Sequence, residues 1–533
     1  MEIMHHLVFP INALPSSQMV EEGIDEILWK ADVKFEALRR YYEQIEADVL
    51  FYFSDVVIQA EAMGAKAKYS RKMMPAVEAT ARVMSLPDPA QVPRMAVNAN
   101  VLRRMAGEFP DKLRAALVYG PFTVAGLLAG EEAILRKLID DPKEVLSLLE
   151  KTFECARRYA LYLVESGANL LWISDPLAGL IPPDQFWDFA GNFLRRIFEL
   201  FASIPTILHI CGDTYQIIQA MVGTGVRGIS FDNCMDLLAV EDEIPKDVYI
   251  IGNIDPVEVI ELASRDDVIS QTSDLVSMMG LRDNFVLSTG CAVPSSAPLE
   301  NIRFFVETGR ESLARLEPDI SILASISQSV SEGDQGAVKK GVIAALGVDI
   351  NPLTVIRSGL MRGIRKGSAM YEAKHWFLPQ ILVVAEAFYR GFSLLEEKIS
   401  FGRQKRATVI LGTVKGDIHE IGKNLVKVFL ETHGYEVIDL GVDVEADTFV
   451  ENYHRYNPSI IGLSAFTTPS MKEMEKVIHC FREKGVKEVS VIVGGAAVNN
   501  EFAHSIGADG YARDAVKAVG LVEKLLKKSR LSI

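Results

Sequence analysis

The stretch Gly416-Asp417-Ile418-His419-Glu420-Ile421-Gly422 decides how the rest of the chain is read. The apolar run before it, Ala407-Thr408-Val409-Ile410-Leu411-Gly412, predicts a buried parallel strand. Helical spacing over 424–432 follows. The stretch therefore lies on a strand-to-helix loop, where open α/β sheets place their ligands. His419 is expected to be exposed there, with Asp417 two residues before it. A carboxylate that accepts one ring N–H leaves the other imidazole nitrogen as a metal ligand.

Asp-x-His-x-x-Gly alone is weak evidence, because such a pair commonly caps a loop. Two later features sharpen it. Counting from Gly422, 41 residues intervene before Ser464-Ala465-Phe466, and another 27 before Gly494-Gly495. The set resembles the cobalamin-binding signature of methionine synthase, the mutases and the methanogen corrinoid proteins: Asp-x-His-x-x-Gly, then Ser-x-Leu, then Gly-Gly. Phe466 stands where that pattern has leucine. The resemblance spans residues 407–526 and implies a bound cobalamin. His419 would replace the cofactor's dimethylbenzimidazole as lower ligand to cobalt, and Asp417 would tune it. Gly422 closes the first motif. Ser464 would hydrogen-bond the displaced nucleotide tail, and Gly494 and Gly495 would let the backbone approach it.

A chain of 533 residues exceeds one hydrophobic core, so two or three domains are expected. Its net charge of −15 argues against nucleic acid and anionic membranes as partners. The first residues lack a basic segment followed by a cleavable apolar core, so no signal peptide is expected. No apolar run approaches the length of a membrane span. Five cysteines, an odd number in a long chain, argue for a reducing cytoplasm over a disulfide framework.

Residues 1–110 mix helical patterns with one clear strand at 48–53, and 24–45 forms a long amphipathic stretch. From 114 onward strands and helices alternate, with strands expected at 115–119, 170–174, 206–210, 228–231, 248–251 and 285–288. With 48–53 these approach the eight of a TIM barrel; a long doubly wound sheet is the alternative. Residues 318–400 turn helical. Gly367-Ser368-Ala369-Met370-Tyr371-Glu372 and Phe377-Leu378-Pro379-Gln380 resemble the helical cap that precedes corrinoid domains. The last segment predicts five strands, near 408–411, 436–439, 460–464, 489–493 and 510–511. The fold expected is thus α/β: a TIM (β/α)8 barrel over 1–317, a helical-bundle cap over 318–402 and a Rossmann-like cobalamin-binding domain over 403–533. Arg403 to Arg406 is expected to be a solvated linker.

A second chemical site lies in the barrel segment. His209-Ile210-Cys211 ends one strand and Gly290-Cys291 follows the last. A His-x-Cys pair is weak by itself, since buried cysteine is common as a small hydrophobe. Three soft or imidazole ligands at one end of a barrel nevertheless match an open catalytic zinc site. Cys234, Asp175 and Asp232 end neighbouring strands; Cys234 competes as a ligand, and the two aspartates suit either second-layer or capping roles. Trp172 and Trp187 are expected to pack. The pattern resembles the zinc methyltransferases of the uroporphyrinogen decarboxylase superfamily, methylcobamide:coenzyme M methyltransferases among them. No arginine cluster occupies residues 1–30, which argues against porphyrin decarboxylation. Barrel-first fusion to a corrinoid domain resembles chloromethane:corrinoid methyltransferase.

These resemblances imply a cytoplasmic methyltransferase using cobalamin and Zn2+. Zinc held by His209, Cys211 and Cys291 would ionise a bound thiol and keep it nucleophilic toward methyl on the corrinoid, or hold a leaving group in reverse. The cap would swing away during transfer. A small methyl donor or thiol acceptor, a second methyltransferase and a reductive activator are the implied partners. A corrinoid carrier or sensor whose barrel only docks a partner is the alternative. The sequence leaves open the donor, the acceptor and the direction of transfer.

Overall fold

A computed structural model of the chain describes residue 4 and residues 6–80, 86–316, 319–372, 376–395, 407–432, 435–486, 489–495, 497–512 and 515–530. Two compact units separate, Met1–Phe392 and Ser393–Ile533. The boundaries expected at 317/318 and 402/403, and the cluster 403–406, fall outside the described residues.

The first unit carries β1 (Val8–Ile11), β2 (Val49–Phe51), a small hairpin of β3 (Lys66–Lys68) and β4 (Ala76–Ala79), then β5 (Leu113–Tyr119), β6 (Leu170–Ser174), β7 (Thr206–His209), β8 (Gly228–Ser230), β9 (Tyr249–Ile254) and β10 (Phe285–Ala292). Eight strands pair in the order β1-β10-β9-β8-β7-β6-β5-β2, every ladder parallel. The two ends of that order nearly close. The Asp48 N–H donates to the Val8 carbonyl at 3.1 Å, and the Val8 N–H donates to the Asp48 carboxylate at 2.8 Å. This is the expected TIM barrel rather than an open doubly wound sheet.

All seven expected barrel strands are present. The eighth, β1, corrects the reading of residues 1–110, which hold four strands rather than one. Val8-Phe9-Pro10-Ile11 is short and carries a proline, which removes a ladder donor. The ladder with β10 tolerates it by shifting register between Phe9 and Ile11. The stretch 24–45 is also two helices, Ile24–Ile27 and Ala31–Gln44, separated by extended backbone at Lys30. Inside the barrel Trp172 is fully buried, edge-on to Phe51 at 5.1 Å and to Phe9 at 6.1 Å. It packs, as expected, and forms the floor beneath the strand ends.

Helices Ile320–Ser331, Gln335–Gly347, Arg362–Glu372 and Leu378–Phe392 follow the barrel and belong to the same unit. Arg362 pins them to it. Its guanidinium donates to Glu241 Oε2 at 2.7 Å, to the Met278 carbonyl at 3.0 Å and to Ser327 Oγ at 3.3 Å, with Glu241 fully buried.

The second unit is a parallel sheet of β11 (Thr408–Thr413), β12 (Glu436–Asp439), β13 (Ile460–Ser464), β14 (Ser490–Gly494) and β15 (Gly510–Ala512), ordered β12-β11-β13-β14-β15. Strand order reverses at β11, so the carboxyl ends of β11 and β13 flank the switch point where such sheets bind ligands. Helices Ile421–Thr432, Ala446–Tyr456, Thr468–Glu483 and Ala515–Arg530 accompany the sheet. Ile410, Phe449, Ile461, Met474 and Val493 are buried in its core. No helix among the described residues is long and apolar enough to cross a membrane.

Arg362→Ala breaks a buried ion pair and two further hydrogen bonds, while Arg282, 3.7 Å from Glu241, still shares its charge. The variant is therefore expected to lower the stability of the first unit by about 3 kcal/mol, the low end for a broken buried pair. Urea unfolding followed by tryptophan fluorescence measures it; an unchanged midpoint refutes the clamp.

Candidate functional site

The Asp417–His419 loop leaves β11 at the switch point. The Thr413 hydroxyl donates to the His419 carbonyl at 2.9 Å, and the Gly416 N–H donates to Asp443 at 2.7 Å. Gly416 has φ +78°, the left-handed region that glycine enters without strain. The buried Asp417 carboxylate is a hub. One oxygen accepts the His419 ring Nδ1–H at 2.8 Å and the His419 backbone N–H at 3.0 Å. The other accepts the Ser470 hydroxyl at 2.6 Å and the backbone N–H groups of Phe466 at 2.7 Å and Thr467 at 3.3 Å. Burial opposes ionisation, but the bonds from Ser470, His419 and Phe466 outweigh it and hold the carboxyl well below the usual carboxylate range. With Nδ1 engaged, Nε2 is the nitrogen left for a metal. The His419 side chain is 49% exposed on its loop, as expected.

Ser464 ends β13, half-buried and in register with Thr413 and Gly494. The double glycine has a structural reason of its own. A Cβ on Gly494 would lie 2.8 Å from the Ala512 carbonyl oxygen, and one on Gly495 2.1 Å from that of Ala465. The protein's own neighbouring backbone therefore already demands glycine at both positions. Gly422 lies in the first turn of the helix Ile421–Thr432, with open space around it.

In the barrel, β7 and β10 carry the second set. His209, Cys211 and Cys291 offer ligand atoms that all lie within 4.8 Å of one another. Cys211 Sγ is 3.3 Å from His209 Nε2 and 4.0 Å from Cys291 Sγ. His209 Nδ1 faces Ser230, 3.2 Å from its carbonyl and 3.1 Å from its hydroxyl, which leaves Nε2 turned toward the sulfurs. Gly290 allows the approach: a Cβ there would lie 2.3 Å from the Asn233 backbone nitrogen. The Cys211 thiol is hydrogen-bonded to Cys291, and this bond together with His209 draws Cys291 down while Cys211 is pushed up. Two sulfurs and an imidazole nitrogen in reach of one point fit an open zinc site.

Cys234 is exposed and stands outside this trio. Asp232 acts as a stitch, accepting the Gly212 N–H at 2.9 Å and the Cys234 N–H at 3.2 Å. Asp175 accepts the Thr123 N–H at 2.7 Å and hydroxyl at 2.6 Å; burial pushes its carboxyl up to about 6 against those bonds. Cys155 is buried and Cys480 half-buried, both on helices.

Residues 12–312 match the family model described as uroporphyrinogen decarboxylase (URO-D), more than half of the chain. Two models described as B12 binding domains match 322–396 and 407–520. A corrinoid protein of Desulfitobacterium hafniense is 36% identical over 215 residues, 39% of this chain and 99% of that protein. The chain belongs to the URO-D family and is fused to a corrinoid protein. Dimethylamine corrinoid protein 1 of Methanosarcina mazei is 35% identical over 208 residues, 38% of this chain and 96% of that one. A solved structure, a methyltransferase from Methanosarcina mazei, covers 58% of this URO-D–corrinoid fusion and 93% of its own chain, with a TM-score of 0.52 and 22% identity, a likeness of fold.

Several polar residues of the fusion were not singled out in the sequence. Ser470 lies 53 positions from Asp417, so no local pattern links them. Ser230 ends β8, unmarked by any metal-ligand chemistry. Asp55 follows β2, in the kind of strand-end position that flagged the other loops, and Arg94 pairs with both it and Glu61. Beside them Lys34 is fully buried, donating to Asn98, which donates to Tyr159 Oη at 2.8 Å. Burial, helped by the Arg94 charge, draws the Lys34 ammonium down to about 7.

The sign of the linkage follows. Between pH 7 and the ordinary lysine value of 10.5, the unfolded chain holds a proton that folded Lys34 has lost. Lys34 therefore makes folding more favourable as pH rises through that window, by a few kcal/mol. Urea midpoints of the wild type and Lys34→Met from pH 6.5 to 10 are expected to diverge, the wild type gaining with pH relative to the variant. Parallel profiles refute the shift.

Proposed function

We propose that this fusion is a corrinoid- and zinc-dependent methyltransferase. It moves a methyl group between a small methylated substrate or thiol and its own bound cobalamin. The observation that carries the proposal is the convergence of His209, Cys211 and Cys291 at the carboxyl ends of the barrel strands, in a chain that also presents Asp417–His419. When bound, zinc supplies a Lewis acid that ionises a thiol or holds a leaving group, and the corrinoid supplies a methyl carrier.

The chain's own residues do the rest. Ser230 holds the His209 ring so that Nε2 points at the two sulfurs. Cys211 and Cys291 bring thiolate charge that keeps a bound thiol nucleophilic. Asp417, tied to Ser470 and the Phe466 amide, holds the Nδ1 proton of His419 and leaves the Nε2 lone pair free to ligate. Fully buried Trp172 packs beside His209, with ring centroids 6.4 Å apart. Fusion raises the effective concentration of one site at the other. A second methyltransferase, a reductive activator and a cytoplasmic setting belong to this proposal. Dimethylamine corrinoid proteins among the relatives favour small methylated compounds as a class to screen.

The protein, reconstituted with cobalamin and purified without chelators, is expected to hold zinc and corrinoid each equimolar with chain. Cys291→Ala should lose zinc and at least a hundredfold in transfer rate, on the order of 3 kcal/mol of barrier, while keeping corrinoid. His419→Ala should keep zinc. Corrinoid without zinc in the wild type, or normal turnover by Cys291→Ala, would leave the carrier whose barrel docks a partner as the better reading.

A further inference from the structure

His419 is gripped at one atom and on one face. The hydrogen bond to Asp417 fixes Nδ1. A single bond leaves the imidazole free to pivot about the line through that nitrogen, and Nε2 swings with it. Phe466 blocks the pivot. Its ring lies against the imidazole with centroids 4.2 Å apart and planes 23° from parallel. The same residue's backbone N–H donates to Asp417 at 2.7 Å, so one residue holds both members of the pair. Ala465, fully buried just before it, and Thr467, which caps the helix Thr468–Glu483, fix the loop that delivers the ring.

We infer that Phe466 is a positioning residue for the lower cobalt ligand, a flat plate that sets the plane of His419 before the corrinoid arrives. The inference rests on the corrinoid reading above. It concerns the position where the resemblance places leucine, whose side chain has no flat face to stack. Preorganising a ligand lowers the ordering that binding must otherwise impose. An offset aromatic stack supplies that order without a charge or a further hydrogen bond.

The test separates uptake from ligation. Wild type, Phe466→Ala, Phe466→Leu and Phe466→Tyr are loaded with cobalamin, total corrinoid is read by absorbance, and the Co(II) state is examined by electron paramagnetic resonance. Coordination by one 14N nitrogen splits the cobalt lines into triplets. The protein is therefore labelled with 15N-histidine, which turns the triplets of His419 ligation into doublets and separates it from ligation by the cofactor's own dimethylbenzimidazole. Nitrogen-ligated cobalt is the doublet fraction, and triplets that stay unchanged by the label count as absence of His419 ligation. The ratio of nitrogen-ligated to unligated cobalt is expected to fall roughly two- to tenfold in the Ala and Leu variants, as the loss of one aromatic contact predicts, and to stay near wild type in the Tyr variant. The leucine variant keeps apolar bulk and so tests the flat face apart from folding. Ligation in Ala and Leu equal to wild type overturns the inference alone. Wild type that binds no corrinoid, or binds it without the doublets, overturns the corrinoid ligation reading with it.

Discussion

Parallel pairing is the constraint on which both units depend. When every strand in a sheet runs the same way, every carboxyl end opens on the same side, and residues far apart in sequence arrive together there. His209 ends β7 and Cys291 lies near the end of β10, 82 positions on, yet both reach one point. Thr413, Ser464 and Gly494 end three adjacent strands in direct register. Each site joins a local pair, His209-x-Cys211 or Asp417-x-His419, to residues that the sheet brings from separate loops.

Within that frame the two candidate ligand histidines are oriented by different means. His209 is buried, and its Nδ1 faces the carbonyl and hydroxyl of Ser230 on the adjoining strand. His419 is half-exposed and leans on a carboxylate with five donors. The difference suits the tasks proposed for them. A neutral partner orients a buried ring without placing another charge beside the two sulfurs. An ionised partner fixes an exposed ring by a charge-assisted hydrogen bond.

Much of this was legible in the sequence, for reasons that can be named. Buried parallel strands are continuous apolar runs, so all seven expected barrel strands and all five of the second unit appear where hydrophobicity placed them. The strand-end rule then marked His209, Cys211, Cys291 and the Asp417 loop. What stayed hidden lacked either length or locality. Val8–Ile11 is four residues with a proline, below the threshold of any period. Ser470 and Arg362 act through partners 53 and 121 positions away, and only a packed structure reveals such pairs. The stack of Phe466 on His419 was likewise unreadable, since substitution of one apolar residue for another carries no sign of what it faces.

The double glycine has a consequence for how such chains are recognised. Gly494 and Gly495 are small because Ala512 and Ala465 crowd them, whether or not a cofactor is present. Selection on the sheet alone would therefore preserve the pair in a descendant that had abandoned corrinoid chemistry. Asp417 shares that duty, since it ties Ser470 and the Phe466 and Thr467 amides together, but His419 has none comparable, with half its side chain in solvent. In a lineage drifting away from the cofactor, the histidine would erode first and the glycines last, so a surviving Gly-Gly dates the fold, while a surviving histidine dates the chemistry.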